Sequence, residues 1–227
     1  MVTRSRRYTE SRKLVEPGRT YSIEEAIALL KSMPPAKFDE TVECTVQLGI
    51  DPKHSDQQVR GNISLPHGTG KSRTVAVFAE GAQAEAARKA GADQVGSDDL
   101  IAKAEGGAID FDVALATPDM MGRIARLGCH LGPRGLMPSP KSGTVRADIA
   151  DAVREFKAGK IEFRNDEGGN VHVPVGKVSF SAEALAENVK AFIEQVQRQK
   201  PASSKGKYLK QAHLTTTMNP ALQVEVE

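Results

Sequence analysis

The sequence predicts two domains of α/β and α+β class: a discontinuous α+β domain built from both ends of the chain, and a Rossmann-like three-layer α/β domain inserted between them. Two observations support this. The ends alternate apolar and polar residues with the period of two of half-buried strands, whereas the middle alternates short apolar strands with helices. The ends therefore resemble each other more than the middle. We place the first domain at residues 1–67 and 160–227 and the inserted domain at 68–159.

The first domain begins with a capped helix and a half-buried strand. Ser22 and Glu25 have the spacing of a capping box, an apolar stripe follows them, and Pro34 ends the helix. Thr41–Leu48 then alternates strictly, with Cys44 among its apolar positions. We expect this strand to bury one face, with Cys44 as a small core residue, and to leave the other face wet.

The inserted domain alternates strands and helices. Two short apolar strands, at 74–78 and 112–116, are separated by Ala-rich helical segments. This order is typical of a parallel sheet with helices on its faces. The remaining elements of this domain are predicted at residues 82–90, 94–95, 97–104, 118–127 and 148–156.

The period of two returns in the last third of the chain. Residues 160–164 and 170–180 are predicted to be two antiparallel strands with a polar turn at 166–169 between them. Ser181 should cap a long amphipathic helix, and the last strand should cover residues 207–218.

Composition excludes several classes of protein. The 227 residues are 39% hydrophobic and 26% charged with a net charge of +2, and no apolar run reaches the roughly 18 residues that span a bilayer. The basic N-terminus lacks the apolar core of a secretory signal. Cys44 and Cys129 are the only cysteines, and they form no CxxC pair. We therefore expect a cytoplasmic protein with no membrane partner, no bound metal and no cofactor.

The segment HGTGKS at residues 67–72 resembles the end of a phosphate-binding loop. That motif requires Gly at position 65, where this chain has Leu65, and it requires a strand before it rather than after it. A nucleotide-dependent enzyme that uses the central α/β domain remains the alternative function, but we expect no catalysis. We expect instead that the chain crosses between domains here and near residue 159. The predicted hinge residues are Pro66, Gly68, Gly70 and Gly159.

One segment carries no carboxylate over its whole length. Between Asp119 and Asp148 the charged side chains are all basic, namely Arg123, Arg126, Arg134, Lys141 and Arg146. Its centre, residues 131–145, is rich in Gly and Pro. Such a loop suits close approach to a polyanion, because Gly admits a nearby backbone and Pro limits the entropy lost on binding. The alternative is an ordinary surface loop that lacks acids by chance.

A second candidate surface combines hydroxyls, an aromatic ring and cations. Thr215–Thr217 places hydroxyls and methyl groups in a row, and Lys37 and Phe38 precede the strand whose wet face starts at Thr41. RNA is recognised by shape, 2′-hydroxyl contacts and stacking, which such a surface can supply. The basic residues 4–13 are either a solvated tail or an arm that folds onto RNA.

These residues belong to longer motifs that closely resemble the bacterial form of the L-one family of large-subunit ribosomal proteins. The resemblance runs from about Tyr21 to Met218. The motifs, in chain order, are KFDETVE (37–43), LGID (48–51), SDQQVRG (55–61), LPHGTGK (65–71), GAD (91–93), FDVALATPD (111–119), LGPRGLMPSPKSGTV (131–145), KAGKIEFRND (157–166), VGKVSF (175–180) and TTTM (215–218).

The resemblance implies a non-catalytic, two-domain protein, a structural constituent of the large subunit. It implies three RNA partners: large-subunit rRNA at the mobile side stalk, exit-site tRNA whose release the protein assists, and the leader of its own mRNA, whose translation it represses. It also implies a monomer when free. The family usually has Gly where this chain has Asn219, and Asn is the residue best able to replace Gly at positive φ.

The resemblance also implies which residues contact RNA. The principal rRNA-binding residues would be Lys37, Phe38, Thr41, Arg164, Asn165, Asp166, His172, Thr217 and Met218. Secondary RNA contacts would come from the acid-free loop through Arg134 and Lys141.

Overall fold

The computed structural model describes residues 4–226, apart from the side chain of Lys141. The chain forms two compact units. Unit 1 comprises the residues up to Gly70 together with those from Phe163 onward, and unit 2 comprises Lys71–Glu162. The mixed α/β class predicted from the sequence is confirmed.

The helices alternate with strands along much of the chain. The α-helices are α1 Arg6–Lys13, α2 Ile23–Ser32, α3 Gly81–Lys89, α4 Asp98–Glu105, α5 Met121–Ile124, α6 Gly128–Leu131, α7 Ile149–Lys157 and α8 Ala182–Arg198. The strands are β1 Thr41–Leu48, β2 Arg60–Ser64, β3 Val75–Phe78, β4 Gln94–Gly96, β5 Val113–Ala116, β6 Lys160–Arg164, β7 Asn170–Lys177, β8 Leu209–Thr216 and β9 Leu222–Val224. No helix within residues 4–226 is long and apolar enough to cross a membrane.

The main sheet of unit 1 is antiparallel, with strand order β7-β1-β8-β9. Its buried face packs against α2 and α8, where Ile27, Val189 and Phe192 are almost fully buried. The strict alternation of β1 is confirmed: Cys44 lies fully buried in this layer, and burial raises the pKa of its thiol to about 12. The opposite face of the sheet is polar, because its strands alternate with period two.

The helix starts in unit 1 follow their predicted caps. The Ser22 hydroxyl accepts from the Glu25 amide at 3.2 Å, and the Glu25 carboxylate accepts from the Ser22 amide, which completes the capping box. Ser181 caps α8 by accepting from the Ala184 amide at 3.2 Å. Because these caps satisfy helix-end amides, both helices start at fixed residues.

The prediction that residues 160–164 and 170–180 are adjacent antiparallel strands is wrong in its pairing and in its end. Strand β6 pairs with β2 in a separate two-stranded sheet, while β7 pairs with β1 and ends at Lys177. Only an isolated bridge between Asn165 and Val171 joins the two segments. The physical reason is that β7 buries Val171, Val173 and Val175 in the layer that it shares with β1.

Two elements near the termini were not predicted, and the last predicted strand is shorter than expected. Residues 6–13 form helix α1, and residues 222–224 add strand β9 beside β8, which itself ends at Thr216. Tyr21 also bridges Val224. Helix α1 escaped prediction because Ser11, its one buried residue, is polar, so the sequence shows no apolar stripe there.

Unit 2 has the three-layer, Rossmann-like architecture that the sequence predicted. Its parallel sheet has the order β4-β3-β5. Successive residues of β3 face opposite layers: Phe78 packs with Leu100 and Ile124 on one side, whereas Val77 packs with Phe156 on the other. The single helix expected at residues 118–127 is a series of short helical turns that continues to Leu131.

Candidate nucleic-acid interface

The start of β1 and the residues after β8 are tied together by their own backbones and one hydroxyl. The Thr217 amide donates to the Thr41 carbonyl oxygen at 3.1 Å, and the Thr41 amide donates to Thr217 Oγ1 at 3.1 Å. Lys177 Nζ donates to Thr41 Oγ1 at 2.9 Å. These bonds fix the end of the sheet at which three of the predicted contact residues, Thr41, Thr217 and Met218, lie close together.

Two large apolar side chains are exposed in this region. Phe38 is 54% exposed and Met218 is 49% exposed, while Lys37 beside Phe38 is also exposed. Among the described residues, Leu14 is the only other large hydrophobic side chain that is exposed. Neighbouring exposed apolar side chains are a common feature of interaction surfaces. We call Lys37, Phe38, Thr41, Thr217 and Met218 the contact surface.

A buried carboxylate organises the backbone beneath the contact surface. Glu40 is only 3% exposed. Its Oε2 accepts from the Thr216 hydroxyl at 2.8 Å and from the Met218 amide at 3.0 Å, and its Oε1 accepts from the Ala36 amide at 3.0 Å. Because both oxygens are bonded, the segment around residue 38 and the turn after β8 are held by one side chain.

Helix α1 supplies the counter-charge of Glu40. Arg7 Nη1 lies 3.6 Å from Glu40 Oε1. The same guanidinium donates to the carbonyl oxygens of Pro34 and Met218 at 3.1 and 3.2 Å, and to Asn219 Oδ1 at 3.2 Å. Ser11 Oγ, which is fully buried, donates to the same Asn219 oxygen at 3.0 Å.

Because the family usually has Gly at this position, a positive φ was expected at Asn219. The backbone of Asn219 does not have a positive φ. No described residue other than glycine has a positive φ. Instead its side chain bridges: Oδ1 accepts from Arg7 and Ser11, and Nδ2 donates to Thr216 Oγ1 at 2.8 Å. The expected positive φ at this position is therefore wrong, because the side-chain bonds hold the turn.

The turn between β6 and β7 is organised by Asp166. Its carboxylate accepts from the Gly168 and Asn170 amides at 2.9 and 2.7 Å. Its Oδ2 also lies 3.3 Å from His172 Nε2. The amide of Asn170 is the main reason that the pKa of Asp166 falls to about 2. The carboxylate is thus engaged within its own turn.

The remaining predicted contact residues lie around this turn. Asn165 is committed to the fold, since its Oδ1 accepts from the Val59 amide at 2.8 Å. Arg164 is exposed. His172 Nδ1 lies 3.1 Å from Thr45 Oγ1, and Thr45 stands opposite both His172 and His213 in the sheet. The polar face of the sheet therefore runs from the contact surface toward the Asp166 turn.

Sequence reasoning missed the residues that support the contact surface. They are Arg7, Ser11, Glu40, Lys177 and Asn219 in its bridging role. One signal was available for Glu40: it is an acid directly before the strand that begins at Thr41. Two of the partners of Arg7, Met218 and Asn219, are about 210 residues away in the chain, so no local pattern could reveal them.

In unit 2, most cations of the acid-free segment are paired with carboxylates from outside it. Arg123 lies 2.5 Å from Glu80, and Arg146 lies 3.3 Å from Glu155. Arg126 is 3.9 Å from Glu105. Arg134 is exposed and takes part in none of the ion pairs found among the described residues. The side chain of Lys141, the other predicted secondary contact, lies outside the described part.

The predicted hinge glycines have φ values that favour glycine. These values are 64° at Gly68, 69° at Gly70 and 107° at Gly159. The buried Asn188 side chain anchors the neighbouring segment, because its Oδ1 accepts from the His67 amide and its Nδ2 donates to the Gly68 carbonyl oxygen, both at 3.1 Å. The residue after Pro66 is thereby held to α8, and hinge motion remains a prediction.

The segment that resembles a phosphate-binding loop lacks the surrounding structure of one. Strand β3 follows it, so residues 67–72 do not lead into the N-terminus of a helix as a phosphate-binding loop does. His67 Nε2 instead lies 2.6 Å from Glu187 Oε2 on α8. Within residues 4–226, no group of three or more His, Cys, Asp or Glu side chains could hold a metal ion.

Comparison with known proteins finds one matching family and many close relatives. Residues 29–220 match the model of the Ribosomal protein L1p/L10e family. The chain is 55% identical over 225 residues to a protein of Kosmotoga olearia named "Large ribosomal subunit protein uL1", with 99% of this chain and 97% of that one covered. A protein of the same name from Cutibacterium acnes is 55% identical over 224 residues, again covering 99% and 97%.

Proposed function

The chain belongs to the Ribosomal protein L1p/L10e family, and from that premise we propose that it binds large-subunit rRNA at the mobile side stalk through the contact surface of unit 1. Like its relatives, it is a structural constituent of the large ribosomal subunit. The observation that carries the rRNA proposal is the exposure of Phe38 and Met218 on a backbone that Glu40 and Thr217 fix. A preformed surface lowers the entropy cost of binding a folded RNA.

The chemistry of the contact surface suits RNA. The exposed ring of Phe38 can stack on a base, Lys37 can meet a phosphate, and the thioether of Met218 can pack against a sugar. Arg164 and the polar sheet face extend this surface toward the Asp166 turn. Because the Asp166 carboxylate is occupied by amides of its own turn, it would position its neighbours rather than meet phosphate.

Two further roles follow from the same surface as parts of the proposal. The protein would repress translation of its own mRNA if the leader presented a fold that the contact surface accepts in place of rRNA. Arg134 and Lys141 of unit 2 would make secondary contacts to stalk rRNA or to the exit-site tRNA whose release the protein assists. The protein would act in the cytoplasm, as a monomer before it joins the ribosome.

The test replaces the two exposed apolar side chains. We expect Phe38→Ala and Met218→Ala each to weaken binding to a transcript of the stalk rRNA by about 1–3 kcal/mol, the range of stacking and packing losses. Each should change the free energy of unfolding by less than about 0.5 kcal/mol, because both side chains are half exposed. Filter binding and urea denaturation measure the two quantities.

Glu194→Ala is the control, since Glu194 is exposed on α8, which packs against the buried face of the main sheet, away from the contact surface. Unchanged affinity in both alanine variants would refute the assignment of the contact surface. If the wild-type protein bound the stalk transcript no better than an unrelated stem of equal length, the rRNA proposal as a whole would fail.

A further inference from the structure

Helix α1 is fixed to the contact surface, although the sequence allowed it to be a free tail. Arg7 bonds to the carbonyl oxygens of Pro34 and Met218, which lie on the two segments that flank the surface. Ser11, one helical turn further on, is fully buried against Asn219. The helix therefore begins within hydrogen-bond reach of residues that carry the proposed function.

The outward positions of α1 and its N-terminal flank are strongly basic. Arg4, Arg6, Arg12 and Lys13 are exposed, and Glu10 is the single acid within residues 4–13. None of the ion pairs found among the described residues involves these four cations. An eight-residue helix is about 12 Å long, so the four charges are concentrated in a short stretch. Arg4 also lies 4.5 Å above the ring of Tyr8.

The basic side chains of α2 and α8 each have a partner within the protein. Lys31 donates to the Phe180 carbonyl oxygen, Lys190 pairs with Glu24, and Arg198 pairs with Glu194. By contrast, α1 and its flank concentrate four exposed cations next to the contact surface, and none of the ion pairs found among the described residues includes them. Its position does not follow from charge attraction within the protein, since only Arg7 meets a carboxylate.

We propose that α1 is a second RNA-contacting element, docked on the contact surface by Arg7 and Ser11 so that Arg4, Arg6, Arg12 and Lys13 bind the phosphate backbone of the same RNA. This inference rests on the proposed function and extends its footprint. The polar side chains on the docked side of α1 fix the position of the helix on the contact surface. The exposed cations contact phosphates, which do not depend on the base sequence of the RNA.

The chemistry of α1 favours RNA over an anionic membrane. A helix that lies on a membrane needs a broad apolar face to insert. Ser11, the one buried residue of α1, is polar, and Leu14 at the C-terminal end is the only large apolar side chain on the helix besides Tyr8. Four cations without an apolar face fit a hydrated polyanion such as an RNA backbone.

The test neutralises the exposed cations and keeps the docking residues. In the full-length protein, Arg4, Arg6, Arg12 and Lys13 are each changed to Gln, which preserves helix propensity. The control changes four exposed cations on or directly after α2 and α8, the helices that pack against the buried face of the main sheet, to Gln. These are Lys31, Lys190, Arg198 and Lys200. Binding to the stalk rRNA transcript is titrated across salt concentrations, and circular dichroism checks folding.

We expect the α1 variant to bind at least about tenfold more weakly near 0.1 M salt, and the slope of log K against log salt to become shallower by about 1 for each cation that meets a phosphate. The control should keep the wild-type slope. Should the quadruple variant misfold, the pairs Arg4→Gln with Arg12→Gln and Arg6→Gln with Lys13→Gln provide the same measurement with half the charge change.

Equal slopes for the α1 variant and the control would overturn the inference while leaving the contact surface intact. The inference would also be overturned if the α1 variant lost binding to phosphatidylcholine–phosphatidylserine vesicles but kept its affinity for RNA. That result would assign α1 to a membrane. A wild-type protein that fails to bind the transcript would instead refute the proposed function, and the inference with it. The Phe38→Ala and Met218→Ala variants distinguish failure of the α1 inference from failure of the proposed function. They remove apolar contacts and should leave the slope of log K against log salt unchanged.

Discussion

Glu40 places a negative charge directly beneath a surface that we propose binds a polyanion. Its carboxylate accepts three hydrogen bonds and lies beside the Arg7 guanidinium, so the charge is neutralised inside the protein. A neutral residue could not accept from Ala36, Thr216 and Met218 at once. We infer that an acid is tolerated at this position because it aligns both backbone segments, and that Arg7 makes it compatible with nearby phosphate.

Asp166 gives a pH-dependent contribution to stability. Its pKa of about 2 in the folded state lies below the ordinary value, so its contribution is fully present above about pH 4 and is lost as pH falls toward 2. We expect Asp166→Asn to lower the free energy of unfolding near pH 7 by only about 0.5–1 kcal/mol, because the carboxylate is 41% exposed and therefore screened.

The measurement is urea denaturation of wild type and Asp166→Asn between pH 7 and pH 3. The difference between the two proteins should narrow below about pH 4. Glu167→Gln, at the exposed neighbouring position, serves as the control and should show no such trend. A difference that stayed constant down to pH 3 would contradict the assigned role of the Asp166 carboxylate.

At the scale of elements, α1 depends on a single amide side chain for part of its docking. Asn219→Gly removes the acceptor of Arg7 and Ser11 and the donor to Thr216. Since the backbone at 219 does not have positive φ, Gly gains nothing in return. We expect a loss of about 1–3 kcal/mol from these three bonds, because two of the partners, Ser11 and Thr216, are buried.

Amide hydrogen exchange measures which elements lose stability in Asn219→Gly. Amides of α1 should exchange faster in Asn219→Gly, while those of β1 and β8 should keep their protection, because the loss is local. Asn219→Asp is the control, because it retains the oxygen that accepts from Arg7 and Ser11. This variant should keep α1 protected. Equal protection of α1 in wild type and Asn219→Gly would show that α1 is held by other contacts.

Sequence pattern predicted the elements whose partners are apolar and failed where the partners are polar or distant. Strand β1 and helix α8 were identified because burial repeats with their periods. Helix α1 was missed because its anchors are Arg7 and Ser11. Strand β6 was identified, but its pairing with β2 depends on tertiary position that periodicity does not encode. For the same reason, the motif residues of the contact surface could be named from sequence, but their support by Glu40 could not.

At the scale of the whole molecule, the two compact units divide the proposed work. The contact surface and α1 lie in unit 1, whereas Arg134 lies in unit 2. We expect a protein that lacks residues 71–159, bridged by a short Gly/Ser linker, to bind the stalk transcript within about tenfold of wild type, or about 1.4 kcal/mol. Keeping residues 160–164 leaves β6 available to pair with β2.

Filter binding compares this deletion with a second one in which Phe38→Ala is also present. The second protein should lose affinity as the full-length Phe38→Ala variant does, since independent sites contribute additively. A folded deletion protein whose affinity falls by much more than tenfold would assign a principal part of the RNA contact to unit 2.

The order of the main sheet determines when during synthesis the surface can exist. Strand β1 is made early, but its neighbours β7 and β8 are made late, and Thr217 follows even those. At about 5–20 residues per second, β1 waits roughly 10–30 s for β8. The chain of unit 2 is continuous and is complete sooner. A nascent chain therefore cannot present the Thr41–Thr217 pair until Thr217 has been synthesised, so the contact surface forms only after the whole of unit 2 has been made.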